Sequence, residues 1–371
     1  MSVQGSRAIA GAPGTRAGLH RRGVLAVAVL AAASFASAAA DAAPPSERAA
    51  PRCLSECTPR IGIVSAFGAE AEILVAETRA PRSWSIGGNR FTTGVLRGNP
   101  VVIVLSGVSM VNAAMTTQRL LDHFRVERLV MSGIAGGIDP SRHVGDVLVP
   151  ESWTMPMEVY WSHDATPPAP CGAPGELKCL GLALARPEGR AVPPYVAPGA
   201  SASGLFMREN KVVSASRPEG EFVFDYRVDP EMLAVARTLA PPLARCGPKA
   251  NAGGSVDPKL CVGGQPTLIV GGRGVSGTAF LADPAYRRYL FEQLGAQSVD
   301  METAAVAHVA RANGVPFIGF RSLSDLAGAE TFNADVGALF ASGLAERNAS
   351  AVTLAFLAAW AGHERERAAH R

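Results

Sequence analysis

The stretch that most constrains this chain is residues 298–328, SVDMETAAVAHVARANGVPFIGFRSLSDLAG. It predicts a short strand ending in Asp300, Met301 and Glu302, then a helix of small and apolar residues. Asn313 and Gly314 stop that helix, since glycine readily takes the left-handed conformation that closes a helix C-terminus. A second strand over residues 315–323 delivers Ser324 and Asp325 at its carboxyl end. Parallel strands joined by a crossover helix place both ends on one sheet edge, where open α/β folds bind ligands. Glu302 and Asp325 are then expected in one cleft, as an acid and a ligand-holding group. The competing reading is a solvated loop and an acidic helix N-terminus, which the helix dipole favours by itself.

The same alternation of strand and helix runs through the rest of the chain. The apolar run from Ile61 to Phe67 suits a buried parallel strand, and Gly68-Ala69-Glu70-Ala71-Glu72 opens a helix. Strand-like runs over 84–95 and 100–106 flank Arg97-Gly98-Asn99, a hairpin turn. A helix is expected over 113–123, a strand over 128–131, and a glycine-rich turn at Ser132-Gly133-Ile134-Ala135-Gly136-Gly137. That turn lacks the lysine of a nucleotide-binding P-loop. Residues 152–266 are rich in proline, glycine and cysteine and read as an insertion, with a helix near 230–239. A strand over 267–271, helices over 286–294 and 339–360, and a frayed charged tail at 362–371 complete the pattern.

The segment VDMETAAVAHVARANGVPFIGFRSLSD resembles the ribose-binding and catalytic segment of the nucleoside phosphorylase and nucleosidase superfamily. Within it the chain is most similar to the 5'-methylthioadenosine/S-adenosylhomocysteine nucleosidases and their secreted plant storage-protein relatives. The resemblance implies a single three-layer α/β/α domain over residues 59–361, around a mixed, partly barrel-like central sheet, carrying the insertion. It also implies a purine nucleoside substrate. By residue, it implies Asp325 as general acid, Glu70 as activator of the attacking water, and Glu302 on the ribose hydroxyls with Met301 against the sugar. Phe280 would stack on the base, with Ala279 and Leu281 beside it; Phe67 would line the 5' pocket; Ile134, Ala135 and Gly136 would border purine and ribose. Ser324 and Arg321 are expected to orient Asp325. Phe332 is a candidate to close the 5' end. A homodimer is expected by the same resemblance.

The residue types suit the chemistry independently. Cleaving a purine N-glycoside needs a proton for a poor leaving group and negative charge beside a developing oxocarbenium ion. An aromatic face suits a base. Helix-dipole complementation is the competing reading for Glu70 and Glu72, and a core position that for Phe280. No metal or other cofactor is expected, since no His or Cys cluster suggests one. Water is the preferred nucleophile over phosphate because the segments 65–70 and 131–134 hold no cation; Arg273 is the one nearby cation that could favour phosphorolysis. A purine nucleoside phosphorylase and a non-catalytic nucleoside-binding or storage-like protein are the alternatives.

Composition enters through the N-terminus. Arg16, Arg21 and Arg22 precede an apolar run and the small residues Ala36-Ser37-Ala38, the pattern of a secretory signal peptide over 1–38. The adjacent Arg21 and Arg22 are also compatible with twin-arginine export. A linker over 39–58 follows. Cleavage would remove four arginines and no acids, taking 35 basic residues to 31 against 32 acidic ones. The mature chain then carries no excess charge for nucleic acid, and no membrane association is expected after cleavage; the protein is expected in the periplasm or secreted. Six cysteines in an exported chain suggest disulfides, with local pairs favoured: Cys171 with Cys179, Cys246 with Cys261, Cys53 with Cys57. Free buried thiols are the alternative.

Overall fold

The computed structural model describes residues 53–162, 181–183, 204–251, 257–328 and 334–369. The expected signal peptide, Cys171, Cys179 and Phe332 lie outside them. The first half contains β1 (Glu56–Ser65), α1 (Gly68–Ala76), β2 (Arg79–Ile86), β3 (Asn89–Leu96), β4 (Asn99–Leu105), α2 (Met110–His123) and β5 (Phe124–Gly137). Short strands follow: β6 (Val147–Val149), β7 (Ser152–Thr154), β8 (Val159–Ser162), β9 (Gly181–Ala183) and β10 (Gly204–Met207). Next come β11 (Asn210–Ser214), β12 (Arg217–Val223), β13 (Asp225–Arg227), α3 (Pro230–Ala236), β14 (Leu268–Val270) and β15 (Arg273–Ser276). The final elements are α4 (Pro284–Leu294), β16 (Ala296–Asp300), α5 (Thr303–Asn313), β17 (Phe317–Asp325), α6 (Ala334–Phe340) and α7 (Leu344–Ala369).

A mixed 12-stranded sheet, flanked by helices, organises these elements, and β5 is its centre. On one side β5 pairs in parallel with β1, Ile63 opposite Val130. On the other it pairs in parallel with β17, from Phe317 opposite Leu129 to Asp325 opposite Gly136. Every residue of β17 is buried, the apolar start Phe317–Phe320 in the core and the polar end, with Arg321, Ser324 and Asp325, at the site. Ile63, Val130, Met131, Ile318, Phe320, Phe356 and Leu357 join one core, each large side chain contributing roughly 1.5–3 kcal/mol when fully buried. Helices α1 and α7 pack on each other, as do α2 and α5.

Four local expectations are corrected. Strands β16 and β17 are not a parallel pair: β16 meets only the end of β5, antiparallel, with Val299 opposite Gly136. The carboxyl ends still converge, because both strands reach the same residues of β5. The supposed turn at 132–137 is the last part of strand β5. Residues 84–95 are two strands, separated where Gly87 and Gly88 take φ of 54° and 86°. The C-terminal helix is interrupted at Gly343 (φ 81°) and then continues through the charged end. There Glu364 bonds Arg128 at 3.1 Å and His363 meets Glu231 at 2.9 Å, which ties the polar turn to the body.

Within 152–266, β7 and β13 pair with one another, and β7 also joins β15 of the large sheet. Strands β8, β10 and β9 form a small separate sheet, and β11 and β12 a hairpin. Helix α3 starts where its signals place it: Asp229 accepts from the Met232 N–H at 2.9 Å, with Pro230 at the first position. Cys246 is bonded to Cys261, and Cys53 to Cys57.

Candidate active site

The end of β5 is lined with glycine for a spatial reason. A methyl at Gly133 would lie 2.2 Å from Arg321 Nη1 and 2.3 Å from Glu70 Oε1. At Gly136 it would lie 3.0 Å from Asp325 Oδ1. These positions leave room for Glu70 and Asp325, two of three carboxylates that approach from different elements. Glu70 comes from the first turn of α1, Glu302 from the start of α5, and Asp325 from the end of β17.

Glu70 uses its two oxygens differently. Its Oε2 accepts from the Ala66 N–H at 2.5 Å and the Phe67 N–H at 3.3 Å, capping α1. Its Oε1 accepts from the Ile134 N–H at 2.9 Å and faces Arg321 at 3.5 Å. Burial pushes its carboxyl up to about 7, against the opposing pull of Arg321 and the two backbone donors Ile134 and Ala66. Glu302 Oε1 accepts from the Ser109 N–H at 3.0 Å and Oε2 from Arg321 Nη2 at 3.1 Å. Burial raises its pKa, Arg321 lowers it and Asp300 raises it again, with a net upward shift. Ser109 holds φ at 97°, a left-handed conformation costly for a residue with a side chain and met here where its N–H reaches Glu302.

Asp325 has separate company. Its Oδ1 accepts from the Ala327 N–H at 2.8 Å and its Oδ2 from the Ser324 hydroxyl at 2.9 Å. Burial raises its pKa above the usual carboxylate range despite both donors. The Ser324 hydroxyl also lies 3.2 Å from the Ala135 carbonyl. The Ser324 hydroxyl thus has two acceptors within reach for its one proton.

Arg321 does not contact Asp325, contrary to expectation. It is fully buried and pairs with Asp300 at 2.8 Å, Glu302 at 3.1 Å and Glu70 at 3.5 Å. It also donates to Thr303 Oγ1 at 2.8 Å and to the Ile134 carbonyl at 3.1 Å. Burial alone would lower its pKa, but the three carboxylates reverse this and hold it above its ordinary value. Asp300 anchors the network from below, accepting from Ser276 Oγ at 2.5 Å and from the Glu302 and Thr303 N–H groups at 3.1 Å each.

Glu70, Asp300, Glu302 and Asp325 open on one cavity of about 160 Å³. Its lining includes twelve residues proposed for the site from the sequence, Phe67, Glu70, Ile134, Ala135, Gly136, Ala279, Phe280, Leu281, Met301, Glu302, Ser324 and Asp325, but not Arg321. It adds Ala66, Val299, Asp300 and Phe340, which sequence reasoning missed, and Val108, whose loop over 106–112 is expected beside the ribose by the same resemblance. Phe280 stands at the cavity with 57% of its surface exposed. Among the described residues, no Lys or Arg lines the cavity. Arg273 is bound elsewhere, to both oxygens of Asp225 at 2.9 Å. Among the described residues, no cluster of His, Cys, Asp and Glu offers a metal a ligand set.

The family model described as Phosphorylase superfamily matches residues 60–358. The chain belongs to that superfamily. Curated relatives include the 5'-methylthioadenosine/S-adenosylhomocysteine nucleosidase of Bacillus cytotoxicus, 28% identical over 276 residues, covering 73% of this chain and 88% of the relative. The Bacillus cereus protein of that name is 27% identical with the same coverage. A solved nucleosidase of that name from Colwellia psychrerythraea, in complex with adenine, has TM-score 0.52 at 23% identity, covering 83% of this chain and 97% of its own. Futalosine hydrolase of Helicobacter pylori has TM-score 0.50 at 19% identity, covering 84% and 98%. These structures share the fold of this phosphorylase-superfamily chain. Its β5 glycines and buried Arg321 are what allow that fold to crowd acids around one hollow.

Proposed function

We propose that this protein is an enzyme of the N-glycosidase kind, a purine nucleosidase that hydrolyses 5'-methylthioadenosine-like or other purine nucleosides. The observation that carries it is the convergence of Glu70, Glu302 and Asp325 on one apolar cavity beside Phe280. The relatives' names support the substrate class. In this reading the base stacks on Phe280 and the Asp325 carboxyl gives its proton to the purine N7 as the glycosidic bond lengthens. Glu302 accepts from the ribose hydroxyls and favours the positive charge growing on the sugar. Glu70 takes a proton from the water that attacks the anomeric carbon, leaving ribose with a new hydroxyl and a neutral free base.

Water is favoured over phosphate because the cavity offers a dianion no cation, and Arg321 is committed to three acids within the core. Purified protein given 5'-methylthioadenosine, adenosine or inosine is expected to release base at the same rate with and without phosphate. Strict phosphate dependence would instead identify a phosphorylase, and binding without release a storage-like protein.

We also propose a homodimer. Val111 and Met115, four residues apart on α2, are 72% and 49% exposed, and the neighbouring Val108, 48% exposed, lines the cavity. Covering this patch with a second copy would also close the cavity rim. Sedimentation should give a dimer for the wild type and a monomer for Val111→Glu; a monomeric wild type would end this idea. The arginine-led signal pattern and the Cys246–Cys261 bond support export to an oxidising compartment. Among the described residues no helix is long and apolar enough to cross a membrane.

A further inference from the structure

The cavity wall includes Phe340, the last residue of α6. This helix is short, and a glycine with φ of 81° separates it from α7 at Gly343. Its C-terminal side is gripped by a neighbouring loop whose two arms are joined by the Cys246–Cys261 bond. The arms are further zipped by Gly247 N–H to Leu260 O at 3.1 Å and Val262 N–H to Arg245 O at 2.8 Å. Three consecutive residues of one arm meet the three that follow Phe340. Lys249 Nζ donates to the Ala341 carbonyl at 2.7 Å, a cation on a helix C-terminus. Gly247 lies so close to Ser342 that a methyl on it would be 2.3 Å from the Ser342 carbonyl oxygen. Pro248 approaches Gly343, where an added methyl would lie 3.2 Å from Pro248 Cγ. The short helical turn Pro258–Leu260 in the other arm also packs on α6.

The same loop is anchored to the body of the protein. Asn348 of α7 clasps Ala244, accepting from its N–H at 2.8 Å and donating to its carbonyl at 3.0 Å. Asn348 also donates to the Gly145 carbonyl at 2.9 Å, just before β6. The loop therefore has a fixed base, a covalent closure and two arms docked on the segment that presents Phe340.

We propose that this disulfide-closed loop positions the substrate cavity: by holding residues 341–343 it fixes α6 and sets the Phe340 ring in the cavity wall. Its kinetic consequence rests on the proposed nucleosidase activity, whereas its structural consequence does not. Glu70, Glu302 and Asp325 are held by Ala66, Ile134, Ser109, Arg321, Ser324 and Ala327, none of which belongs to the loop. The loop therefore acts on substrate binding and leaves the chemical step alone.

The test compares Gly247→Ala, Lys249→Met and the double variant Cys246→Ala/Cys261→Ala with wild type. Gly264→Ala is the control, since a methyl there meets nothing within 4 Å. Gly247→Ala and the double variant are expected to raise KM for 5'-methylthioadenosine by roughly three- to tenfold with kcat within about twofold, the pattern of lost uniform binding. Lys249→Met should show a smaller change in the same direction. Amide exchange in residues 334–343 should quicken in each, and Gly264→Ala should match wild type. Unchanged exchange at 334–343 in both Gly247→Ala and the double variant would refute the proposal, as would a fall in kcat at unchanged KM. Exchange can be measured even in a protein that releases no base, which separates failure here from failure of the nucleosidase reading.

Discussion

Asp325→Asn is expected to lower kcat about 10²–10⁴-fold, the range that a positioned general acid contributes, while the protein stays folded and still binds adenine. The neighbours explain why the loss is chemical. The carbonyl of the substituted side chain can still accept from the Ala327 N–H, where Oδ1 of Asp325 sits at 2.8 Å. Its amide then faces Ser324, whose hydroxyl can accept and redirect its own proton to the Ala135 carbonyl 3.2 Å away. Every hydrogen bond finds a partner, yet no transferable proton remains for the base. Steady-state rates with 5'-methylthioadenosine, beside calorimetric binding of adenine, give the check. Wild-type turnover in this variant would remove Asp325 from its role. Lost adenine binding would show that its part is recognition of the base.

The outline of this site is legible in the sequence because its residues sit at strand ends and helix starts, where punctuation is strong. Glu302 follows a strand and opens a helix that Gly314 closes, and Asp325 ends a strand that begins with the apolar run Phe317–Phe320. Glu70 is ambiguous for a reason the structure makes plain: the same carboxylate caps α1 with one oxygen and faces Arg321 with the other. The glycines of β5 mislead, because glycine clusters signal turns, whereas Gly133 and Gly136 are needed to make space for side chains arriving from α1 and β17. Asp300 and Arg321 carry no periodic or spacing signal as partners. Their pairing depends on β16 and β17 meeting the same end of β5, a long-range fact of topology. Phe340 escapes notice because the residues from Leu339 onward spell one continuous helix, which has no place for the break at Gly343 that separates α6 from α7.

Arg321→Met should have the largest effect on stability. Removing one partner of a buried ionic cluster leaves its other charges unpaired, at a cost of about 3–5 kcal/mol. Here a single guanidinium with no exposed surface faces three carboxylates, so its loss strands Asp300, Glu70 and Glu302 together. The sign of the pH dependence follows. In wild type, burial already raises Glu70 from 4.5 to about 7 and raises Glu302, with Arg321 opposing both shifts. Without Arg321 both folded-state values climb further above the unfolded ones. Stability contributed by the protonated forms is present below about pH 4.5 and is lost as pH rises through the raised folded values. The variant should therefore lie nearest to wild type in acid and fall away as pH rises, visible in urea unfolding at about pH 5 and about pH 8. Activity should shift the same way: in the proposed mechanism Glu70 must lose its proton to activate water, so the acid limb, near 7 in wild type, moves to higher pH in any variant protein that remains folded. A variant equally destabilised at both pH values, with an unmoved acid limb, would mean that Arg321 fills space without balancing charge.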